Sequence, residues 1–246
     1  MSKASFGFSV FGNQYFFTPK FTILTVGILI VLLGLGIWQW KAAADVHATI
    51  DLINERLALD PLTIDDLDKG GDLRFYPVQI QGSFDDEHSI LIKDRMFKGQ
   101  RGFQVLTPFK PMGAAKEILV NRGWIPEFPI GKMPDFGNIP DGVTIFGILF
   151  QPHPGSMSSA FDENNITWPL IIKNPEIETI GKVLGSPMYP YIVLLSPSSP
   201  YGFVREWVWL MSATTPDRHK AYAKQSFALA LTILLAFLFL NIQRIE

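Results

Sequence analysis

The stretch FTILTVGILIVLLGLGIWQW, from Phe21 to Trp40, decides the fold class of this chain of 246 residues. It contains no charged residue and lies between Lys20 and Lys41. At a rise of about 1.5 Å per residue, a helix of this length spans the roughly 30 Å hydrocarbon core of a bilayer. The stretch therefore predicts a transmembrane helix at residues 21–40.

A second apolar stretch, SFALALTILLAFLFLNI, runs from Ser226 to Ile242. It also lacks charge, and together with residues 222–225 it reaches the length that a membrane span requires. Lys224 is close enough to the membrane surface for its side chain to extend into water. The sequence thus predicts a second transmembrane helix at residues 221–242.

The flanks of the two spans predict the orientation. Lys3 and Lys20 precede the first span without any acidic residue, and Arg244 follows the second. Because Lys and Arg in short flanks favour the cytoplasmic side, tails 1–20 and 243–246 are predicted in the cytoplasm and residues 41–220 outside it. A cleavable signal peptide ending near the alanines at 42–44 is the alternative, although the apolar run is longer than such signals usually have.

Residues 41–220 read as a β-rich α+β domain. An amphipathic helix is predicted from Ala42 to Leu59, a short helix capped at Thr63, and another helix that runs to Val183. Gly and Pro residues separate short apolar runs that predict strands: Phe75–Gln81, Ser89–Asp94, Phe103–Pro108, Glu117–Trp124, Val143–Phe150, Ile166–Ile172, Tyr189–Leu195 and Val204–Trp209. Such a pattern favours an antiparallel barrel or sandwich, and a barrel is the more economical because closure removes exposed edges. Residues 128–142 and 152–165 are predicted as long loops.

The composition excludes several function classes. A formal net charge of −2 gives no basic patch for nucleic acid, and the absence of cysteine excludes thiolate metal sites and cysteine nucleophiles. The histidines other than His219 are scattered, at positions 47, 88 and 153, which disfavours a zinc or copper site. We find no HExxH, GxSxG or P-loop motif, so a hydrolase has little support.

The motifs resemble, in order and over nearly the whole chain, the surfeit locus protein one family, the membrane-anchored assembly factors of haem–copper cytochrome oxidases. The most specific is Val-Asn-Arg-Gly-Trp-Ile-Pro at 120–126. The others are Leu35–Gln39, Tyr76–Val78, Gly82–Asp85, Gly102–Val105, and His219 with Tyr222, Ala223 and Phe227 at the start of the second span. The resemblance implies a non-enzymatic protein that aids haem a insertion into the catalytic oxidase subunit. It also implies that His219 binds haem a, transiently.

The residues themselves support a candidate site at the membrane edge. The imidazole of His219 is a common axial ligand of haem iron, and Tyr222 lies one helical turn further on the same face. Gln39 needs a hydrogen-bonding partner near hydrocarbon, and the second span is the expected source of that partner. Trp38 is read either as a cofactor contact or as an interface anchor. Arg122 is read either as a partner for a propionate or other carboxylate, or as a structural arginine stacked on an aromatic ring beside Gly123.

The function expected from the sequence is assembly of cytochrome c oxidase in a bacterial inner membrane, with the domain in the periplasm. The expected partners are oxidase subunits, chiefly the haem-bearing catalytic subunit, and membrane lipid, with no nucleic acid. One alternative is a cofactor-free membrane scaffold that binds nascent oxidase subunits. The other is an extracytoplasmic sensor domain unrelated to respiration.

Overall fold

The computed structural model of the chain describes residues 6–10, 13–129, 136–137, 139–152, 166–207 and 216–244. They belong to two compact units, one comprising Met1–Asp51 and Met211–Glu246, the other Leu52–Leu210. In chain order, the helices and strands are β1 (Phe6–Val10), β2 (Asn13–Phe17), α1 (Pro19–Leu57), α2 (Ile64–Asp68), β3 (Pro77–Phe84), β4 (Ile90–Phe97), β5 (Gln100–Pro111), β6 (Glu117–Pro126), β7 (Val143–Phe150), β8 (Leu170–Ile172), α3 (Ile177–Leu184), β9 (Met188–Leu195), α4 (Pro216–Leu240) and β10 (Ile242–Arg244).

The first unit contains the two apolar helices. Both α1 and α4 are long and apolar enough to cross a membrane, with mean hydropathies of 2.5 and 1.9 over their most apolar windows. Little of either window is buried inside the protein, as expected of helices whose remaining surface faces lipid. α1 continues without a break to Leu57, so the predicted span and the predicted amphipathic helix after it form one element.

A small antiparallel sheet lies at the ends of the chain, where the sequence predicted no strands. β2 is its central strand and pairs with β1 and with β10. In the backbone register, Phe6 is paired with Phe17 in one ladder and Ile242 with Tyr15 in the other. Strands of three to five residues show too little alternation in the sequence to be distinguished from irregular terminal segments.

The second unit is built on a closed barrel. Five strands hydrogen-bond in the order β3, β7, β9, β6 and β5, and β5 pairs with β3 to complete the circle. All neighbours are antiparallel except β6 and β9, which run parallel. β4 extends the sheet beyond β5, and β8 pairs with β4. The predicted fold class, two apolar terminal helices around a β-rich domain with a barrel, is confirmed.

Apolar residues fill both faces of the barrel wall. The inner cluster includes Ile80, Phe109, Val120, Leu149 and Val193. A second cluster lies between α3 and the outer face of the sheet, and it joins Ile180 of α3 to Ile90, Ile92, Leu106, Leu119 and Ile192 of the strands. Because both faces are covered, β6 is apolar or buried at nearly every position rather than alternating.

Two strand predictions need correction. The run Ile166–Ile172 contains a strand only at Leu170–Ile172. The predicted strand Val204–Trp209 is wrong for its described part, because Val204 forms an isolated bridge to Trp124 and no ladder follows. Arg205 holds this segment as a loop by donating to the carbonyls of Ser196, Pro197 and Ser199. Most of the predicted loops at 128–142 and 152–165, and residues 208–209, lie outside the described residues.

One end of the barrel is covered by α2. Leu67 of α2 belongs to the inner core cluster. The hydroxyl of the buried Tyr189 on β9 donates to Asp68 Oδ2 at 3.1 Å, and Lys116 Nζ reaches Asp68 Oδ1 at 3.1 Å. Burial and the hydrogen bond to Asp68 raise the pKa of Tyr189 to about 12. The predicted cap at Thr63 is present: its backbone N–H donates to Asp66 Oδ2 at 2.9 Å.

Replacing Tyr189 with phenylalanine is expected to lower the free energy of unfolding by about 1 kcal/mol, because one hydrogen bond to a carboxylate is lost. The raised pKa means that this contribution is complete below pH 10 and is lost as the pH rises through about 12. Urea unfolding of the full chain in detergent, at pH 7.5 and at pH 11, measures both effects. Tyr201→Phe is the control, since the Tyr201 hydroxyl has no hydrogen-bond partner among the described residues.

Candidate functional site

The two apolar helices bring His219 and Gln39 together. His219 lies in the first turn of α4 and Gln39 lies near the predicted membrane edge of α1, 180 residues apart in the chain. His219 Nδ1 and Gln39 Oε1 are 2.7 Å apart, and both side chains are half-buried. The partner that Gln39 was predicted to need from the second span is therefore His219.

This hydrogen bond fixes the tautomer of the imidazole. An amide oxygen only accepts, so His219 Nδ1 must carry the proton and donate it to Gln39 Oε1. Nε2 then holds a lone pair in the neutral ring. Within the described part of the chain no group donates to this nitrogen. A histidine oriented through one ring nitrogen, with the other available, has the form of an iron ligand.

Small residues allow the two helices to approach at this site. A Cβ built on Gly36 would lie closer than 3 Å to three ring atoms of Phe227, so any side chain at this position would displace that ring. Ala43 on α1 and Ala223 and Ala230 on α4 are also buried. The buried small residues repeat every seven positions on each helix, which is the spacing of a helix-packing seam.

The other two residues of the predicted membrane-edge site are exposed. Trp38 has 60% and Tyr222 has 51% of its surface accessible. Neither side chain has a hydrogen-bond partner among the described residues. Tyr222 follows His219 by three positions within α4, so the two residues lie on the same face of one helix, as predicted. Cofactor contact by Tyr222 and Trp38 therefore stays a prediction, and so does the alternative that Trp38 is an interface anchor.

Arg122 lies in the barrel unit and is 2% exposed. Its Nε donates to the Tyr201 carbonyl at 2.9 Å, its Nη1 to Asp86 Oδ1 at 3.1 Å, and its Nη2 to the Phe136 carbonyl. The guanidinium carbon is 5.0 Å from the ring centroid of Phe203. All three nitrogens are thus occupied inside the domain, which fits the structural interpretation of Arg122.

The electrostatics of this pair follow from burial. Burial lowers the pKa of the Arg122 guanidinium, and the charge of Asp86 opposes that shift. Burial likewise raises the pKa of Asp86, against the effect of Arg122. Gly123, the next residue, has φ of 115°, and a Cβ there would lie 2.6 Å from the Val204 carbonyl oxygen. Both the positive φ and the close carbonyl require glycine at position 123.

Arg95 was not predicted as a site residue, because Arg95 and Arg101 flank Gly99 in a probable hairpin, where arginines are usually solvated. Its Nε is buried and has no hydrogen-bond partner in the described structure. Arg95 lines a cavity of about 590 Å³ on the outer face of the barrel wall. The sequence does contain a sign of a β-bulge, because the alternation of apolar and polar residues breaks down between Ile90–Ile92 and Asp94. Such a break alone does not show which residue forms the bulge.

Among the described residues there is no group of three or more His, Asp or Glu side chains that could hold a metal ion. A haem iron differs from such ions because the macrocycle supplies four ligands and the protein supplies only axial ones. The described donor set, one oriented imidazole at His219, fits that requirement.

Comparison with known proteins identifies the family. Residues 26–231 match the sequence profile of the SURF1 family. The chain belongs to the SURF1 family. It is 33% identical over 109 residues to "Surfeit locus protein 1" of Arabidopsis thaliana, covering 39% of this chain and 31% of that protein. It is 28% identical over 116 residues to a "SURF1-like protein" of Monosiga brevicollis, covering 42% and 43%.

A third relative is a "SURF1-like protein" of Caenorhabditis briggsae, 26% identical over 155 residues, or 53% of this chain and 48% of that protein. The matches to these curated SURF1 relatives thus cover between about a third and a half of the relatives' own lengths. The family match extends from Val26 in α1 through the barrel to Leu231 in α4, so the sequence-based recognition is confirmed.

Proposed function

We propose that this SURF1-family chain is a membrane-anchored assembly factor for haem–copper cytochrome c oxidase, which holds haem a at His219 for insertion into the catalytic subunit. The role is non-enzymatic, since it needs binding and release but no reaction. Family membership supports the oxidase part of the proposal. The hydrogen bond between Gln39 and His219 supports the haem part, because it leaves Nε2 as the ring nitrogen with a lone pair.

Each residue of the proposed site has a separate task. When bound, haem a supplies an iron with an axial position that an imidazole nitrogen can fill. Gln39 holds the His219 ring in the required tautomer and orientation. The exposed faces of Tyr222 and Trp38 offer aromatic surface for the macrocycle or its apolar tail. Arg122 is left out of this set, because its donors are occupied within the barrel domain.

The proposed orientation places both termini in the cytoplasm of a bacterium and the barrel domain in the periplasm. The basic residues Lys3, Lys20 and Arg244 in the short flanks support it. His219 then lies at the outer edge of the inner membrane, where an apolar cofactor could pass to the nascent catalytic subunit.

Replacing His219 with alanine is expected to remove haem a from the purified protein. The test is expression of the full chain in a host that makes haem a, followed by an optical spectrum and a pyridine haemochrome assay per mole of protein. Haem content should fall at least about tenfold, as is usual when a metal site loses a ligand or its orienting partner. His47→Ala is the matched control, because His47 is an exposed histidine of α1, 3.9 Å from Asp51.

Equal haem content in His219→Ala and in the unchanged chain would reject His219 as the ligand. Co-purification of oxidase subunits with a wild-type protein that holds no stoichiometric haem would favour the alternative, a cofactor-free scaffold for those subunits. Normal oxidase spectra in cells lacking the gene would reject both proposals and favour the sensor interpretation.

A further inference from the structure

The barrel domain has a cavity on the outer face of its wall. Its floor is formed by Asn121 of β6 and Ile192 and Leu194 of β9. These residues alternate with Val120, Val193 and Leu195, which point into the barrel core, so the cavity lies on the opposite side of the sheet. A volume of about 590 Å³ is within the range of small-molecule sites.

Aromatic side chains form one wall of the cavity. Phe97 and Trp124 are in contact, with ring centroids 5.2 Å apart. The Trp124 indole N–H is occupied, since it donates to the Arg95 carbonyl at 2.9 Å. The rings are therefore fixed in place and offer apolar surface rather than further hydrogen bonds.

Arg95 is the cationic group that lines the cavity, and its guanidinium is only partly hydrogen-bonded within the described residues. Its Nη2 donates to the Lys173 carbonyl at 3.3 Å, and its buried Nε has no partner in the described residues. An unpaired buried donor is costly even when the rest of the side chain is only half-buried, as it is in Arg95, so its retention calls for an explanation. The charge of the Arg95 guanidinium favours a carboxylate as its partner in the cavity.

Two irregularities in neighbouring strands shape this surface. The pairing of β4 with β5 shifts between Ile92 and Arg95, and Asp94 there has φ of 61°. The pairing of β5 with β6 shifts opposite Arg122. A bulge reverses which face the next residues point to, so Arg95 turns to the cavity. A non-glycine residue at positive φ costs free energy and is retained mostly where function or packing requires it.

The surrounding charges limit what the cavity can hold. Lys98 Nζ and Glu206 Oε1 are paired at 3.0 Å, and Asp94 lies next to Arg95 in the chain. Lys98 balances Glu206 and Arg95 balances Asp94, so the net charge of these four groups is zero. The cavity therefore offers no excess positive charge, which disfavours a dianion more strongly than a monoanion. The site thus fits a carboxylate better than a phosphate dianion.

We propose that this cavity binds a monocarboxylate with an apolar, aromatic-sized body, whose carboxylate pairs with Arg95 and whose body packs against Phe97 and Trp124. The carboxylate could belong to a free organic acid or to the C-terminus of a peptide, which share this chemistry. The proposal is independent of haem binding at His219.

The test uses ¹⁹F NMR of 4-(trifluoromethyl)phenylacetate with the full chain in lipid nanodiscs, and empty nanodiscs as the blank. The acid should bind at least tenfold more tightly than 4-(trifluoromethyl)phenylacetamide, which lacks the charge. Arg95→Gln should weaken binding of the acid at least tenfold and leave the amide unchanged. Arg101→Gln is the matched control, because it removes the same charge from an exposed position of the same hairpin.

A second variant keeps the proposal testable if Arg95→Gln does not fold. Gln104→Phe leaves Arg95 in place but adds bulk to a half-buried position lining the cavity, and should also weaken binding of the acid at least tenfold. Competition by a short peptide with a C-terminal phenylalanine, but not by its amide, would identify a peptide as the source of the carboxylate. Equal binding of acid and amide, binding no stronger than to empty nanodiscs, or full binding in both variants would overturn the proposal.

Discussion

Replacing Arg122 with methionine is expected to lower the free energy of unfolding at pH 7.5 by about 3–5 kcal/mol, the cost typical of breaking a buried ion pair from one side. Methionine keeps the unbranched stem but loses every hydrogen bond of the guanidinium. The carbonyls of Tyr201 and Phe136 lose their donor, and Asp86 loses its counter-charge. Contact with the rings of Phe84 and Phe203 is weakened as well.

Part of this loss should depend on pH. Burial already raises the pKa of Asp86, and without Arg122 it will rise further. A carboxyl with a pKa above its unfolded value of about 3.9 destabilises the fold when ionised, and this penalty disappears once the pH falls below that unfolded value. The difference in stability between Arg122→Met and the unchanged chain should therefore be smaller at pH 4 than at pH 7.5. The lost hydrogen bonds to the two carbonyls remain at both values.

Urea unfolding of the full chain in detergent, followed by tryptophan fluorescence, measures this prediction. Arg101→Met is the control, because Arg101 is exposed and its replacement should change stability by no more than about 0.5 kcal/mol. The double variant Arg122→Met with Asp86→Asn should recover at least about 1 kcal/mol relative to Arg122→Met alone. A loss below 1 kcal/mol for Arg122→Met, or no recovery in the double variant, would contradict the account of this ion pair.

The sequence predicted the elements whose pattern is local. Residues 21–40 and the stretch ending at Ile242 were recognisable because a membrane span needs only length and apolarity. Strands such as β7, from Val143 to Phe150, were predicted to the residue because glycine and loop residues bound an uninterrupted run. Barrel closure depends on β3 pairing with β5, a contact between distant segments that no local pattern encodes.

The candidate site divides in the same way. His219 and Gln39 could each be named from their chemistry and position at the ends of the spans. That they meet depends on the rotation of α1 and α4 about their axes, which the small buried residues determine. Arg95 escaped prediction because the bulge at Asp94 turns its side chain to the opposite face from the one that alternation gives.

Replacing Gly36 with leucine is expected to separate α1 from α4 and break the hydrogen bond between Gln39 and His219. Even a Cβ at this position overlaps the ring of Phe227, and leucine adds three further carbons. In lipid, helices associate through close packing rather than through the hydrophobic effect, so a lost contact is not replaced by apolar driving force. If His219 holds haem a as proposed, haem content should fall to about a tenth or less, as when an orienting partner is removed.

The tautomer of His219 gives a readout that does not require haem. In the unchanged chain, ¹⁵N NMR of histidine-labelled protein should show His219 protonated at Nδ1, assigned by the loss of its signals in His219→Ala. In Gly36→Leu the ring should shift towards protonation at Nε2, the form preferred by free imidazole side chains in water. Gly34→Leu is the matched control, because a Cβ at Gly34 meets nothing within 4 Å. If His219 in Gly36→Leu is still protonated at Nδ1, close packing at Gly36 does not position the imidazole. If the tautomer shifts but the haem content stays full, haem binding does not depend on this packing.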